Sequence, residues 1–140
     1  MNSRYFYVIM PVRSDTSATA KRLLIEQLAD RYGLSAKFSE YANNKFSFDL
    51  GKFKEELISA CFVLVDLSLE RPSCYYELGV VEALGRPVEL VAAEGTPIHQ
   101  SAGRAQLTHY KDLGALSDLL NRRLRATVTA AASSVDVQKS

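Results

Sequence analysis

Carboxylates, arginines and hydroxyl residues gather just after the apolar runs of this chain. Pro11, Arg13 and Ser14 follow YFYVIM, Asp66 and Ser68 follow FVLV, and Arg71, Ser73, Tyr76 and Glu77 surround the start of a helix that the pattern places near Ser73. Asp49 stands at the start of another helix. A carboxylate at the end of a buried strand, as Asp66 would be, can hold a sugar hydroxyl, and strand-end aspartates equally cap local turns. Ser73, preceded by Pro72, reads as the cap of its helix, and a helix N-terminus with a free hydroxyl is also a natural seat for phosphate. Arg13 and Arg71 can add charge to that seat, although a loop arginine is more often solvated surface. Position alone leaves Glu77 two readings: a first-turn glutamate favoured by the helix dipole, or the key carboxylate of a pocket for a nucleotide-like ligand. Tyr5, Tyr7, Tyr75 and Tyr76 can stack on a base or donate to a carboxylate, yet aromatics spaced in this way usually belong to the core.

These groups act together only if the fold brings their loops to one edge. Residues 5–10 form a near-continuous apolar run ending at Pro11, as expected of a strand buried on both faces. Ala20, Leu24, Leu28 and Tyr32 then recur at every fourth residue, with Gly33 in the position that ends such helices. A weaker strand is expected around Ser35–Tyr41, and a helix from Asp49 with Leu50, Phe53 and Leu57 on one face. Residues 62–65 are the most strand-like segment, and a helix from about Ser73 to Leu84 follows, ended by Gly85 and Pro87. Residues 88–93 and 106–110 read as the last strands, before a helix carrying Leu113, Leu116, Leu120 and Leu124. Arg122, Arg123 and Arg125 fall at its expected end, where cations complement the helix dipole. Residues 1–126 therefore read as one α/β domain and 127–140 as a flexible tail. Strand–helix–strand repetition implies right-handed crossovers and a three-layer, doubly wound, mostly parallel sheet of about five strands. Ligands of such sheets sit beyond the carboxyl ends of the strands.

The chain has 140 residues, 47% apolar and 24% charged, with a formal net charge of +1. That is ordinary globular composition with nothing that advertises a nucleic-acid polymer or a membrane as partner. Cys61 and Cys74 are too few and too far apart for a disulfide framework, and with only His99 and His109 beside them they form no zinc pattern. No metal or other cofactor is expected, and a reducing cytoplasm suits the composition. No export signal or membrane span is read in the sequence.

The segment VDLSLERPSCYYELGVVEALGRPVEL, with YVIMPV near the N-terminus, resembles the nucleoside 2-deoxyribosyltransferase-like and TIR-like nucleotide-binding families. The shared pattern is a first strand ending in a turn with proline, a strand ending near an acidic residue, a short loop with proline, and Tyr-Glu-Leu-Gly opening a helix. Here that element is Tyr76, Glu77, Leu78 and Gly79, and the similarity spans residues 4 to about 125. The resemblance implies a flavodoxin-like or TIR-like sheet and a catalytic role for Glu77 in breaking an N-glycosidic bond. In the deoxyribosyltransferases the matching glutamate attacks the anomeric carbon; in TIR-type NAD hydrolases it supports loss of nicotinamide. It also implies a sugar contact for Asp49, which N-capping explains equally well. The partner so implied is a small-molecule nucleotide, nucleoside or NAD, and the assembly a homo-oligomer. Deoxyribosyltransferases carry an acidic residue at the place of Arg71, so a cation there favours a phosphorylated ligand. A non-catalytic nucleotide sensor and a self-associating TIR-like module, in anti-viral defence, are the other readings.

Overall fold

The computed structural model describes residues 4–11, 17–39, 48–99 and 106–139, with side chains described as far as residue 132. Its elements are β1 (Tyr5–Ile9), α1 (Ala18–Arg31), β2 (Ser35–Phe38), α2 (Leu50–Ser59), β3 (Val63–Asp66), a 3₁₀ turn (Ser68–Glu70), α3 (Pro72–Ala83), β4 (Val88–Ala93), β5 (Thr108–Tyr110) and α4 (Leu113–Lys139). The strands form one all-parallel sheet in the order β2-β1-β3-β4-β5. The sheet grows outward from β1 in both directions, so the strand order reverses at the β1/β3 pair, where Tyr7 lies opposite Val63 and Ile9 opposite Val65.

Alternation along the buried strands divides the core into two layers. Phe6, Val8, Phe62 and Leu64 turn to one face and pack with Ile25 and Leu28 of α1 and Leu116, Leu120 and Leu124 of α4. Tyr7, Ile9, Val63 and Val65 turn to the other and pack with Phe53 and Leu57 of α2 and Cys74, Leu78 and Val81 of α3. Both faces are therefore covered, which is why the strands read as continuous apolar runs.

Several expectations shift. The buried stripe of α1 is Ala18, Lys21, Ile25, Leu28 and Ala29; Ala20 is exposed, and Leu24 and Tyr32 are half-buried. A lysine at a core position broke the apolar pattern and displaced the expected face. Helix α4 continues past residue 126 to Lys139, where the alanines at 126 and 130–132 favour helix without any apolar periodicity. Arg122, Arg123 and Arg125 consequently sit in mid-helix, away from the terminal carbonyls; Arg123 lies 3.6 Å from Glu89 and over the Phe62 ring. Leu50, expected on the inner face of α2, is 41% exposed. Among the described residues no helix is long and apolar enough to cross a membrane.

Candidate functional site

Glu77 lies on the buried stripe of α3 with Cys74, Leu78 and Val81, one turn further into the helix than a dipole-stabilising acid would be. Arg71 is the N-cap residue and Pro72 the first helical one, so Glu77 falls in the second turn and the dipole reading does not explain it. Its side chain is 3% exposed. The Ser39 hydroxyl, at the end of β2, donates to Oε1 at 2.6 Å, while Oε2 is buried with no hydrogen-bond partner among the described residues. Burial pushes the Glu77 carboxyl up to about 7, against the opposing pull of the Ser39 hydrogen bond. A carboxylate in this state is half ionised near neutrality and has one oxygen ready for a partner.

Aromatic rings stand beside it. Phe48 meets the half-exposed ring of Tyr76 edge-on at 6.0 Å, Phe48 and Phe53 lie 5.4 Å apart, and Phe53 meets Tyr7 at 5.7 Å. Tyr7 is buried, and burial first, then the Glu56 and Glu77 charges, push its hydroxyl up. Tyr7 is core as expected, Tyr5 and Tyr75 are half-buried, and Tyr76 is 47% exposed.

A second cluster forms on the other side of the sheet edge. Asp66 ends β3 at 4% exposure; its Oδ1 accepts from the Ser68 amide (2.9 Å) and hydroxyl (2.6 Å), and its Oδ2 from the Tyr110 hydroxyl (2.7 Å) and Lys21 Nζ (3.4 Å). Ser68 Oγ in turn accepts from the Ala93 amide at 2.8 Å. Burial, then the Asp66 charge, pushes the Tyr110 hydroxyl up. The turn-capping role read for Asp66 is thus visible, and a sugar hydroxyl could bind it only by displacing one of these donors. Cys74 joins the two clusters. Burial and then the charges of Glu77 and Asp66 push its thiol up to about 12, so it stays protonated between them.

The connection from β3 to α3 carries strain. Leu69 (φ 66°) and Glu70 (φ 46°) both occupy the left-handed region. Glu70 is held there by the His99 amide (2.7 Å), His99 Nδ1 (2.6 Å) and the Tyr75 hydroxyl (2.9 Å), and the His99 contacts pull its carboxyl down. The Arg71 carbonyl accepts from the Cys74 and Tyr75 amides, so Arg71, rather than Ser73 as read from the sequence, caps α3. Pro72 fits the first helical position because the amide it lacks would be unpaired there, which moves the helix start one residue earlier. Ser73 is half-buried and lies four residues before Glu77, on the same face of the helix. Asp49 accepts from the Lys52 amide at 3.0 Å, so its N-capping role is visible, on an exposed side chain. Pro11 is buried just beyond β1, while Arg13 and Ser14 lie outside the described residues.

Sequence reasoning missed Lys21, Tyr110 and Ser39. Lys21 had a signal, a cation within an otherwise apolar helical stripe; Ser39 had none beyond closing a strand. Among the described residues no group of histidine, cysteine and carboxylate side chains could hold a metal ion.

No protein-family model and no curated protein matches the chain. Solved structures do, two of them 2-deoxyribosyltransferases. A 2-desoxiribosyltransferase from Leishmania mexicana matches with a TM-score of 0.52 at 16% identity, over 71% of each chain. A 2-deoxyribosyltransferase from Bacillus psychrosaccharolyticus matches with a TM-score of 0.55 at 18% identity, over 81% of this chain and 90% of the other. The fold is that of the 2-deoxyribosyltransferases. At such identities the likeness concerns the fold of the chain and the layout of its sheet.

Proposed function

We propose that this protein breaks or transfers the N-glycosidic bond of a nucleotide, with Glu77 as the carboxylate facing the anomeric carbon. The observation that carries this is the uncommitted Oε2 of a buried glutamate, on the helix that follows β3 and close to the edge where the strand order reverses. Open sheets take ligands at such an edge. The ionised carboxylate would attack the anomeric carbon, or stabilise the positive charge that develops there, as the bond to the base breaks and its electron pair leaves with the base. Water, or a second base, then takes the sugar.

A phosphorylated ligand suits the surroundings better than a free nucleoside. Arg71 caps the helix at whose N-terminus Ser73 stands, and Ser73 and Glu77 share one face a turn apart. Phosphate at the first end and the sugar at the second would fit that spacing. Ser73→Ala or Arg71→Ala should then weaken binding of a nucleoside monophosphate by roughly 1–3 kcal/mol more than binding of its nucleoside.

A panel of nucleosides, nucleoside monophosphates and NAD, assayed for released base, tests the reading. Release from a monophosphate, rising with pH through about 7 as Glu77 ionises, is the expected result. Tight binding without any release would leave a nucleotide-sensing module in its place.

A further inference from the structure

We propose that Glu70 and His99 form a latch at the start of α3: His99 and Tyr75 hold the Glu70 carboxylate, which fixes the turn into the helix and keeps that charge out of the neighbouring phosphate seat. The seat rests on the function proposed above, whereas the latch can be tested without any ligand.

Neither leucine nor glutamate favours the left-handed region, yet Leu69 (φ 66°) and Glu70 (φ 46°) both occupy it. Tertiary contacts therefore impose the turn. Its first half is anchored by Ser68, which is buried and whose amide and hydroxyl both donate to Asp66. Leu69 adds little packing, being 50% exposed. Glu70 supplies the second anchor: its amide donates to the Leu67 carbonyl at 2.9 Å, its Oε1 accepts from the His99 amide (2.7 Å) and the Tyr75 hydroxyl (2.9 Å), and its Oε2 meets His99 Nδ1 at 2.6 Å. The chain then enters α3 directly, with Arg71 as its N-cap.

His99 is delivered by a turn of its own. The Glu94 amide donates to the Tyr110 carbonyl (2.8 Å), Gly95 takes a φ of 88°, and the Thr96 amide donates to the Ala93 carbonyl (3.1 Å). The chain leaving β4 is thereby turned so that Ile98 packs against the layer of Cys74 and Leu78, and His99 reaches Glu70. The His99 side chain is 77% exposed and that of Glu70 19%, so the histidine stands on the solvent side of the carboxylate. Glu70 precedes Arg71 by one residue and Ser73 by three. Left loose there, its charge would repel a phosphate at the helix start and compete with it for Arg71. Held by His99 and Tyr75, with the His99 contacts pulling its carboxyl down, Glu70 stays ionised and committed elsewhere.

Carbon NMR titration of the glutamate carboxyls in the ligand-free chain tests the latch, with Glu70→Gln identifying the Glu70 signal by its loss. His99→Ala removes the ring donor and should move the Glu70 midpoint up toward the ordinary glutamate range. His99→Asn keeps an N–H donor near the place of Nδ1 and should stay closer to the wild type. An unchanged midpoint in His99→Ala overturns the latch. Calorimetry on a Glu77→Gln background, which stops turnover, then compares the nucleoside monophosphate that the release panel selects with its nucleoside. His99→Ala should weaken the monophosphate by roughly threefold to fivefold and leave the nucleoside within about twofold. Adding Glu70→Gln to His99→Ala should restore the monophosphate, because the loosened side chain no longer carries charge. A general disturbance of α3 would weaken both ligands alike and resist that restoration, and such a result overturns the proposal. If no monophosphate is selected, the proposed function falls and the Glu70 titration alone decides the latch.

Discussion

Two buried carboxylates, Glu77 and Asp66, flank the same thiol at one end of the sheet, yet only one is saturated. Asp66 receives four donors from Lys21, Ser68 and Tyr110. Glu77 receives one from Ser39 and keeps an oxygen without a partner among the described residues. Burial is equal at 3% and 4%, so the difference lies in hydrogen bonding and charge. A saturated carboxylate ties elements together: Asp66 fastens α1, β3, the strained turn and β5 at one point. An unsaturated one costs stability and persists where a ligand completes it. On the function proposed above, the pair separates a structural acid from a working one within the same edge.

The largest expected effect is on the saturated side. Asp66→Ala removes the buried carboxylate that accepts from Lys21, Ser68 and Tyr110, and should cost about 3–5 kcal/mol in urea unfolding. A loss under about 1 kcal/mol would mean that the cluster ties nothing. The opposite sign is expected at Glu77. Its folded value, raised from 4.5 to about 7, means that the native state holds its proton longer than the unfolded chain. Stability is therefore full below about 4.5, is lost as pH rises between those two values, and is lowest above them. Glu77→Gln should remove a penalty of about 3 kcal/mol at pH 8 and change little at pH 4, read from unfolding at both. Equal effects at the two pH values would break the contrast with Asp66. The smallest effect belongs to the turn between them. Leu69→Gly relieves a left-handed leucine whose side chain is half-exposed and should add roughly 0.5–1 kcal/mol, less whatever the looser unfolded chain takes back.

Much of the fold was legible because the strands are buried on both faces and so stand out as apolar runs. β4 matched residue for residue, and β1 and β3 within a residue. The parallel order followed from alternation with helices, whereas β2 ends at Phe38 before Ser39, with residues 40 and 41 of the expected strand outside the described residues, and β5 was overdrawn since short edge strands carry few apolar residues. The end of α4 was missed because alanine supplies propensity without periodicity. The Tyr-Glu-Leu-Gly element singled out Glu77 as a candidate, but its hydrogen-bond partner Ser39 was not readable, since spatial neighbours 38 positions apart leave no local pattern. Lys21 misled twice: it hid the true face of α1, and it concealed the charge that holds Asp66.

Glu77→Gln in a base-release assay, paired with calorimetry of nucleotide binding, bears most directly on Glu77 as the reacting group. The substitution keeps shape and removes charge, so release from a nucleoside monophosphate should fall by roughly 10³-fold or more while the dissociation constant changes by less than about tenfold. Release that continues at the wild-type rate would contradict that assignment, whatever the ligand proves to be.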